Sequence, residues 1–418
     1  MLNGSQRVVV TGIGIVSPIG IGVGAFWDAI LAGRIGVRTI TRFDASDYTS
    51  RIAAEIDQFD PADYMKPKRV RWTDRFAQYA VAAAHGAFDD AGLFANGHAV
   101  NGRRDEVGVF IGSALGGVAY ADEQHDVFRE RGLAGVKPLL AISVFGGAAT
   151  SNVALEFGLR GPTVANANSC AAGAVAIGEA YRAIQRGEIR AAIAGGAEAP
   201  LSPLCFGAFT IIGAMSKRND DPEHASRPFD RERDGFVMGE GGGMLVLERL
   251  EDAVSRGAAI YGEIRGFATT NDAHHMSAPR PDGESAARAM QLALEEANIA
   301  PYELEAVSAH GSATTLGDQA ESIALHRVLG TATRHVPITA SKGQHGHGFS
   351  ASGAWEAALS LLTLRHGVLP RVVGHIVDDP QCALDIVDSN ARGTVRTILS
   401  NTTGFGGINA ALVFTSAE

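Results

Sequence analysis

The sequence predicts an α/β fold, on two observations. Short apolar runs bounded by Gly, Asn or Asp alternate along the chain with Ala-rich stretches of helical character. Alternation of this kind is typical of buried strands that are joined by crossover helices. The chain also has 418 residues, of which 46% are hydrophobic, and this is more than one small core requires. We therefore expect one large two-lobed unit or two closely packed domains.

The predicted elements alternate from the first strand to the last. Strands are predicted at Arg7–Val10, Glu106–Ile111, Thr163–Ala165, Ala191–Ala194, Gly243–Leu247, Ile260–Phe267, Ala306–Ala309, Val336–Ala340 and Ala411–Phe414. Helices are predicted at Arg75–Ala91, Ser151–Glu156, Ala171–Arg186, Ser285–Ala297, Gln319–Leu329 and Gly353–Arg365. The helix Ala171–Arg186 has few charges before its last turn, so we expect it to be buried on most sides. Such a helix suggests a layer between two sheets.

Two charged segments interrupt this alternation. Glu248–Gly257 has the composition of a linker and precedes a new strand. It divides the chain into a first half, residues 1–257, and a second half, residues 258–418, with no close sequence repeat between them. The segment Ser216–Gly243 is rich in Arg, Asp and Gly, and we expect it to form a long loop across the surface with ion pairs.

Charge and cysteine content exclude several classes of protein. A formal net charge of -10 and a pI near 5.7 argue against a nucleic acid or an anionic membrane as partner. No run of about 18 apolar residues is present, so no membrane span is predicted. The opening residues lack a signal-peptide core, and an odd set of 3 cysteines is no disulfide framework. We expect a cytoplasmic globular protein.

The first candidate for chemistry is Cys170, in the segment NANSCAAG at the start of the buried helix. A thiol at a helix N-terminus lies at the positive end of the helix dipole, which lowers its pKa from about 8.5 and favours the thiolate. Small residues on either side leave room for a substrate beside the sulfur. A small buried side chain without a chemical role is the alternative interpretation, and we adopt it for Cys205 and Cys382.

Two histidines follow in separate loops. His310 ends a predicted strand and enters the loop HGSATTLGD, a position that commonly faces a ligand crevice. Lys342 and His347 lie together in the glycine-rich loop SKGQHGHG. His345 and His347 could suggest a metal site, but no Cys or carboxylate cluster stands beside them at ligand spacing. We therefore predict no metal.

A third loop, Asn401–Asn409, reads NTTGFGGIN and contains one aromatic residue, Phe405. Its glycines allow main-chain N–H groups to point into a cavity as an anion-binding nest. It is not a phosphate loop, because no Lys-Ser/Thr follows. A cysteine at a helix start, two histidines on separate loops and this turn are a stronger set together than each is alone.

These motifs resemble those of the β-ketoacyl-acyl-carrier-protein synthases of the elongating Cys-His-His type, synthases I and II. The resemblance covers the whole chain. It includes the opening RVVVTGIGIVSPIG, GSALGG, NSCAAG, SRPFDRERDGFVMGEG, NDAHHMSAP, HGSATTLGD, SKGQHGHG and NTTGFGGIN, in that order. It implies a thiolase-like duplicated αβαβα five-layer sandwich, usually a homodimer. It implies no cofactor bound by the enzyme itself, since the substrates are carried on the phosphopantetheine of acyl carrier protein.

The resemblance also assigns roles to residues. Cys170 would take the acyl group from acyl-carrier protein, and malonyl-carrier protein would then lose carbon dioxide. His310 and His347 would donate hydrogen bonds to the developing enolate. Main-chain N–H groups of Cys170 and Phe405 would form the oxyanion hole, with Phe405 as the gating aromatic. Lys342 matches the family lysine near the site.

Two acidic residues complete the set that the resemblance implies. Glu321 matches the acidic partner of the family lysine, and Asp318 is placed with them as a supporting residue.

The motifs also distinguish the chain from three neighbouring groups of proteins. Initiating synthases have Asn in place of the second histidine, thiolases have a second catalytic cysteine, and chain-length-factor subunits lack the nucleophile. Fatty acid elongation is the function expected first. The alternatives are a ketosynthase of a type II polyketide or polyene pathway, possibly heterodimeric with a chain-length factor, and a non-catalytic partner subunit.

Several loops depart from the fatty-acid pattern. HGTSTP is here HGSATT, LGAAG is here FSASG from Phe349 to Gly353, the usual Phe two residues before the gate is Thr403, and the usual Thr after GFGG is Ile408. These changes suggest a specialised acyl chain.

A basic cluster is predicted to dock the acidic carrier protein. It comprises Lys66, Lys68, Arg69, Arg71 and Arg75, of which Lys68 and Arg71 are the principal candidates. A solvated charged face is the alternative interpretation. A further docking arginine that the resemblance places near Gly213 is absent.

Overall fold

The computed structural model describes residues 6–93 and 104–417. The strands are Val8–Ser17 (β1), Gly20–Ile21 (β2), Val37–Thr39 (β3), Ile52–Ala54 (β4), Val107–Gly112 (β5), Thr163–Asn166 (β6), Ala191–Glu198 (β7), Gly241–Arg249 (β8), Gly262–Asn271 (β9), Ala306–Ser308 (β10), Ile338–Thr339 (β11), Val368–Leu369 (β12), Ala391–Arg392 (β13), Thr397–Gly404 (β14) and Ile408–Thr415 (β15). The helices are Val23–Ala32 (α1), Pro67–Val70 (α2), Arg75–Asp90 (α3), Val118–Arg131 (α4), Leu140–Ser143 (α5), Ala148–Phe157 (α6), Ala172–Gln185 (α7), Pro203–Ile212 (α8), Leu250–Ser255 (α9), Glu284–Ala297 (α10), Thr315–Leu329 (α11), Lys342–His345 (α12) and Ser350–His366 (α13).

The main sheet contains two sets of strands with the same topology. The first set has the order β6-β5-β7-β8-β1 and the second has the order β11-β10-β14-β15-β9. In both sets the first two pairings are parallel and the last two are antiparallel. The sets meet where Val8–Val10 of β1 pairs with Gly262–Ile264 of β9. The duplication that no sequence repeat revealed is therefore visible in the strand order.

Helices α7 and α13 form a layer between the two sets of strands. Helix α7 contacts β5 and β7 from the first set and β15 from the second, and α13 contacts β7, β8 and β14. Helix α3 covers β1, β7 and β8, while α10 covers β9 and β15 and packs on α11. The predicted burial of the first of these central helices is confirmed, since most of α7 is buried.

The central helices approach closely through small residues. A Cβ added to Gly353 of α13 would lie 3.0 Å from the main-chain nitrogen of Ala174 in α7. Trp355 of α13 is fully buried, and its indole N–H donates to the Gly242 carbonyl of β8 at 3.0 Å. Because the catalytic candidates stand at the N-terminal ends of α7 and α13, this packing brings their loops together.

The predicted helices and strands are all present, and their ends are shifted by four residues or fewer, except that β1 continues to Ser17 where the sequence predicted an end at Val10. The linker prediction for Glu248–Gly257 is wrong, because the segment completes β8 and forms α9. Glu248 is buried and accepts from Thr11 Oγ1 at 2.6 Å and from Arg256 Nη2 at 2.5 Å. Glu248 and Arg256 are thus paired within the fold, and composition alone does not show this. The division at residue 257 stays a prediction.

The surface-loop prediction for Ser216–Gly243 is also wrong in part. The ion pairs exist, as between Arg227 and Asp230 at 3.2 Å, but Asp230 and Arg233 are buried. Asp230 accepts main-chain N–H groups of Ile376 and Val377, both at 2.7 Å. Part of the charged segment can therefore lie in the interior because its buried charges are paired there. Among the described residues, no helix has the length and apolarity to cross a membrane.

Candidate active site

Cys170 lies in a one-turn 3-10 helix, Ser169–Ala171, that leads directly into α7. Ser169 adopts a φ of 51°, the left-handed region that non-glycine residues rarely occupy. Strain of this kind is concentrated at functional sites. The turn presents a buried thiol to the cavity described below, with the Ser169 hydroxyl 3.8 Å from its sulfur. The predicted tight turn at a helix start is confirmed.

The predicted lowering of the Cys170 pKa is wrong. Burial raises the pKa of the thiol above its ordinary value, and it outweighs the opposing effects of the Ser169 hydroxyl, the Phe405 main-chain N–H and the Lys342 ammonium. The nearby Glu198 carboxyl adds to the rise. The position at a helix start suggested an activated thiolate. The tertiary fold buries this position, and burial disfavours the charged form of the thiol.

His310 follows β10 and faces Lys342, whose ammonium nitrogen lies 3.2 Å from Nδ1 of the ring. The same ammonium also donates to the His310 carbonyl and to Glu356. Its three N–H donors therefore meet three acceptors. Since an ammonium can only donate, Nδ1 of His310 must be the acceptor, and the ring proton belongs on Nε2. Burial, followed by Lys342 and His347, holds the pKa of His310 well below its ordinary value, so the ring is neutral.

His347 follows α12, and its ring centroid lies 5.2 Å from that of His310 at an interplanar angle of 84°. Its Nδ1 lies 3.2 Å from the Ser352 hydroxyl. Burial, and then the charges of Lys342 and His345, keep its pKa well below the ordinary value. The site therefore holds two neutral histidines beside one thiol.

Glu321 and Asp318 are both buried in α11, but neither pairs directly with Lys342. The Glu321 carboxylate accepts the main-chain N–H of His310 at 2.7 Å and of Gly311 at 2.8 Å. Burial raises its pKa above the ordinary value, and these donors oppose the rise. Asp318 accepts the Phe229 N–H at 2.7 Å, and burial raises its pKa to about 7. Both residues hold loops in place, so the predicted pairing of Glu321 with the lysine is wrong.

The direct partner of Lys342 is Glu356 of α13, which sequence reasoning missed. Both side chains are fully buried and form an ion pair. A signal was available, because GAWEAALSLL places one acidic residue among apolar and small ones in a predicted helix, which is the composition of a buried helix. A buried charge is almost always paired. The sequence could therefore have raised the question of a cationic partner for Glu356.

Phe405 lies in the turn between β14 and β15, and its main-chain N–H is near enough to the Cys170 sulfur to oppose the rise in the thiol pKa. A Cβ on Gly404 would lie 3.1 Å from the Cys170 nitrogen. The main-chain N–H groups of Cys170 and Phe405 are thus close neighbours beside the sulfur. The Phe405 ring stacks on Phe209 at 6.2 Å between centroids.

One cavity of about 300 Å³ joins these groups. Cys170, His310, His347, Phe349 and Phe405 all line it, together with residues of the loops around Asp272, Thr314 and Thr403. The side chains that sequence analysis placed on four separate segments therefore face one space.

Exposed apolar side chains stand around this cavity. Ile212 and Leu316 line it and are 53% and 60% exposed, and Ile211 is 87% exposed. Met276, which is 77% exposed, is joined to the turn that carries Phe405, because its carbonyl accepts the Gly406 N–H at 2.8 Å. Large exposed apolar side chains around an opening are typical of contact surfaces for other molecules.

Aromatic rings pack together on another side of Cys170. Phe209, Phe236 and Phe349 make edge contacts with one another at 5.1 to 6.1 Å, and Phe349 stacks on His347 at 5.2 Å. These residues belong to the same buried apolar cluster as Cys170 or pack against it. The space beside the sulfur is therefore apolar, as an acyl chain requires.

Two side chains of the basic cluster contact other residues of this chain, and the other three are exposed to solvent. Arg69 pairs with Glu156 at 3.1 Å, and Arg75 donates to Tyr79 at 2.6 Å. Lys66, Lys68 and Arg71 are exposed around α2, and Lys68 lies 5.0 Å above the Trp72 ring. Only these three are available to an incoming partner, and two of them are the residues that sequence analysis favoured.

In the part of the chain that the structure describes, no three His, Cys, Asp or Glu side chains are grouped as a metal ion would require. His345 is used internally, since its two ring nitrogens lie 2.8 Å from the Gly346 carbonyl and from the Ser341 hydroxyl. Burial lowers its pKa to about 3.

Sequence models of known protein families match most of the chain. The sequence model of the β-ketoacyl synthase N-terminal domain matches residues 5–253, and that of the C-terminal domain matches residues 261–375. The chain belongs to the β-ketoacyl synthase family. Its family membership confirms the resemblance that the motifs suggested.

Several known β-ketoacyl synthases match the chain along its whole length. It is 40% identical over 410 residues to the 3-oxoacyl-[acyl-carrier-protein] synthase 2 of Synechocystis sp., covering 98% of each chain. The structure superposes on that of the ishigamide ketosynthase/chain length factor with a TM-score of 0.92 and 33% identity, covering 99% of this chain and 100% of the other. It superposes on the ketosynthase structure of AntDE:AntF, a type II polyketide acyl-carrier protein in complex with its ketosynthase, with a TM-score of 0.89, 32% identity and the same coverage. The predicted thiolase-like fold is confirmed.

Proposed function

We propose that this β-ketoacyl synthase is a 3-oxoacyl-acyl-carrier-protein synthase that extends an acyl chain held on Cys170 by decarboxylative Claisen condensation. The observation that carries the proposal is the single cavity that Cys170, His310 and His347 share. Full-length similarity to a 3-oxoacyl-[acyl-carrier-protein] synthase 2 supports it.

The first step transfers the acyl group to the enzyme. The Cys170 sulfur attacks the carbonyl of the carrier-bound thioester, and the phosphopantetheine thiol leaves with the proton that the cysteine loses. The Phe405 N–H, which favours the ionised form of the thiol, stabilises the negative charge on the sulfur. The apolar cluster beside Cys170 receives the acyl chain.

The second step breaks the bond between the malonyl methylene carbon and its carboxylate. Carbon dioxide leaves, and the electron pair moves to the thioester oxygen as an enolate. The neutral His310 and His347 each offer one N–H, and both rings face the cavity where this charge develops. Fixed donors at a developing charge lower the barrier without costly reorganisation.

The third step forms the carbon–carbon bond. The enolate carbon attacks the Cys170 thioester, and the negative charge on its oxygen is accepted by the main-chain N–H groups of Cys170 and Phe405. Collapse of this intermediate expels the Cys170 thiolate and leaves a 3-oxoacyl chain on the carrier. The close approach of Gly404 to the Cys170 nitrogen supports this pair of donors.

The second candidate is a ketosynthase of a type II polyketide or polyene pathway. Likeness to the ishigamide and AntDE structures favours it. So do local departures beside the site, above all Phe349, whose ring stacks on His347 where the fatty-acid pattern has Leu. The chemistry is the same and only the chain differs.

The partner that delivers the substrates is an acyl carrier protein, as in the AntDE:AntF complex. The exposed side chains of Lys66, Lys68 and Arg71 would meet its acidic surface. The apolar side chains around the cavity would take the place of the docking arginine that is absent near Gly213. In the described part of the chain, both the basic side chains and the apolar side chains around the cavity are exposed to solvent.

We propose a homodimer joined at β6, with a heterodimer including a chain-length factor as the alternative. Strand β6 is the last strand of the main sheet, its residues Thr163, Val164 and Ala165 are exposed, and it leads into the Cys170 turn. Exposed apolar side chains lie in the neighbouring segments, including Ile142, Phe145 and Leu155. An open strand edge of this kind is suited to pairing. Light scattering on wild type and Val164→Lys tests the proposal, because loss of the dimer in the variant is expected.

Two further points complete the proposal. A reducing cytoplasm fits the three cysteines, all of which are free and buried. The chemistry above uses only groups of this chain and of the substrates, so we propose that no cofactor is bound.

Mass spectrometry tests the function directly. The protein is incubated with carrier proteins charged with acyl chains of varied length, and we expect an acyl adduct on Cys170 that is absent from Cys170→Ala. Addition of malonyl-carrier protein should release carbon dioxide and a 3-oxoacyl product. No adduct with any chain would favour a non-catalytic partner subunit. The length preference of the adduct separates the fatty-acid from the polyketide candidate.

A further inference from the structure

The hydrogen bond between His347 and Ser352 is the feature that the proposed chemistry leaves unexplained. Ser352 is fully buried in the first turn of α13, and its hydroxyl oxygen lies 3.2 Å from His347 Nδ1. The same oxygen accepts the Gly348 main-chain N–H at 2.9 Å. The family segment LGAAG has Ala at this position, so the hydroxyl is a property of this chain.

A neutral imidazole carries one proton, on Nδ1 or on Nε2. Only the Nε2–H form of His347 can donate into the cavity while Nδ1 faces Ser352. For His310 the ammonium of Lys342 imposes this form. Lys342 makes no such hydrogen bond to His347 in the described residues, so another group must set its tautomer.

The hydrogen bonds of Ser352 distinguish the two forms. One lone pair of its oxygen is taken by the Gly348 N–H. Within the described residues, the only acceptor that its hydroxyl proton reaches is His347 Nδ1. If Nδ1 carried the proton instead, it would donate to the same oxygen, and the buried hydroxyl proton would have no acceptor. Burying an unpaired donor is unfavourable, so the Nε2–H form is the more stable.

We propose that Ser352 is a positioning residue that fixes His347 in the Nε2–H tautomer and so keeps it a donor to the enolate. The proposal rests on the proposed function, since it assigns His347 a donor role in decarboxylation. It goes beyond it by naming the group that makes this histidine competent.

The variant that tests the proposal is Ser352→Ala, with Ser360→Ala as its matched control. Ser360 is also buried in α13, but its hydroxyl donates to the Glu356 carbonyl of the same helix at 2.8 Å. Both variants lose one buried hydroxyl from one helix, and only Ser352→Ala removes the contact with His347. Because the family pattern has Ala at this position, the fold should accept it.

The kinetic measurement is decarboxylation of malonyl-N-acetylcysteamine. In Ser352→Ala we expect kcat to fall about tenfold, roughly the value of one net hydrogen bond, with little change in KM, because the lost interaction acts on the developing enolate. Acylation of Cys170 by an acyl-N-acetylcysteamine should stay unchanged. Ser360→Ala should match the wild type in both assays.

The spectroscopic measurement uses protein labelled with ¹⁵N-histidine. In the wild type, Nδ1 of His347 should show the shift of an unprotonated ring nitrogen and Nε2 that of a protonated one. Ser352→Ala should move both shifts towards an average of the two forms. A protonated Nδ1 in the wild type would overturn the proposal even if the variant failed to fold. Equal decarboxylation by both variants would overturn it too, whereas absence of any wild-type adduct on Cys170 would instead refute the proposed function.

Discussion

Gly173 of α7 lies directly against the main-chain carbonyl of Ser350 at the start of α13. A Cβ on Gly173 would be 2.1 Å from that oxygen, and one on Gly196 of β7 would be 2.3 Å from it. The loop that carries His347 ends at this point, and the turn that carries Cys170 begins α7. The absence of a side chain at Gly173 therefore sets how closely the loop of His347 approaches Cys170.

Gly173→Ala should destabilise the protein and impair condensation. The new methyl group meets a main-chain atom that cannot rotate away, and overpacking of this kind costs roughly 1–3 kcal/mol. Thermal unfolding and turnover measure the two effects. Gly24→Ala is the matched control, because Gly24 is exposed in α1 and its added Cβ would meet nothing within 4 Å. That change should be neutral or slightly stabilising, and a Gly173→Ala protein as stable as this control would contradict the close packing.

Glu356→Gln should cost far more stability than loss of a surface pair. It leaves the Lys342 ammonium buried without its counter-charge, and breaking a buried pair from one side costs about 3–5 kcal/mol. Denaturant unfolding measures this loss. Glu284→Gln, at the start of α10, removes an exposed partner of Arg280 and should cause no measurable change. Similar results for both variants would show that the Lys342–Glu356 pair is not a structural requirement.

Alkylation of Cys170 should become faster with pH through the whole range from neutral to 9. Burial raises the pKa of this thiol above its ordinary value, so the thiolate fraction increases about tenfold per pH unit below that pKa. Rates of reaction with iodoacetamide, followed by peptide mass spectrometry, give the profile. Cys205 is a control within the same sample, since burial raises its pKa to about 12 and it should react more slowly. A plateau near neutral pH would mean that the thiol is activated before substrate binds.

Acidification should weaken the fold in part through His345. Its folded pKa of about 3 lies below the ordinary value of 6.5, so between these values the unfolded chain binds a proton that the folded chain does not. Stability from this group is therefore present above about pH 6.5 and lost as the pH falls towards 3, by up to about 1.4 kcal/mol per pH unit. Urea unfolding of wild type and His345→Asn between pH 7 and 5 measures the slope. An unchanged slope in the variant would refute the assignment.

Charge reversal at Lys68 and Arg71 should slow the reaction with carrier-bound substrates. Both side chains are exposed, and complementary charge raises association rates by roughly tenfold or more at low salt. The value of kcat/KM for acyl-carrier protein should fall, while that for acyl-N-acetylcysteamine should not. Arg392→Glu, on exposed β13, is the control for net charge. Equal losses on both substrates would count against docking at this surface.

Much of the fold could be predicted from the sequence, because strands and helices follow from local patterns of apolar and small residues. The burial of α7 was predictable from its lack of charges. The paths of Ser216–Gly243 and Glu248–Gly257 were not, because the partners of Asp230 and Glu248 come from distant segments. A charged segment has the same composition whether its charges face water or one another.

The sequence by itself determined the candidate reacting groups: one cysteine at a helix start, two histidines on separate loops and a glycine-rich turn with Phe405. It also determined the family through the order of these motifs. Only the tertiary structure decided their chemical state. The raised pKa of Cys170, the neutral histidines, the pairing of Lys342 with Glu356 and the contact of Ser352 with His347 depend on burial and on distances between residues far apart in the chain. Electrostatic and hydrogen-bonding energies vary with those distances, and spacing along a sequence does not contain them.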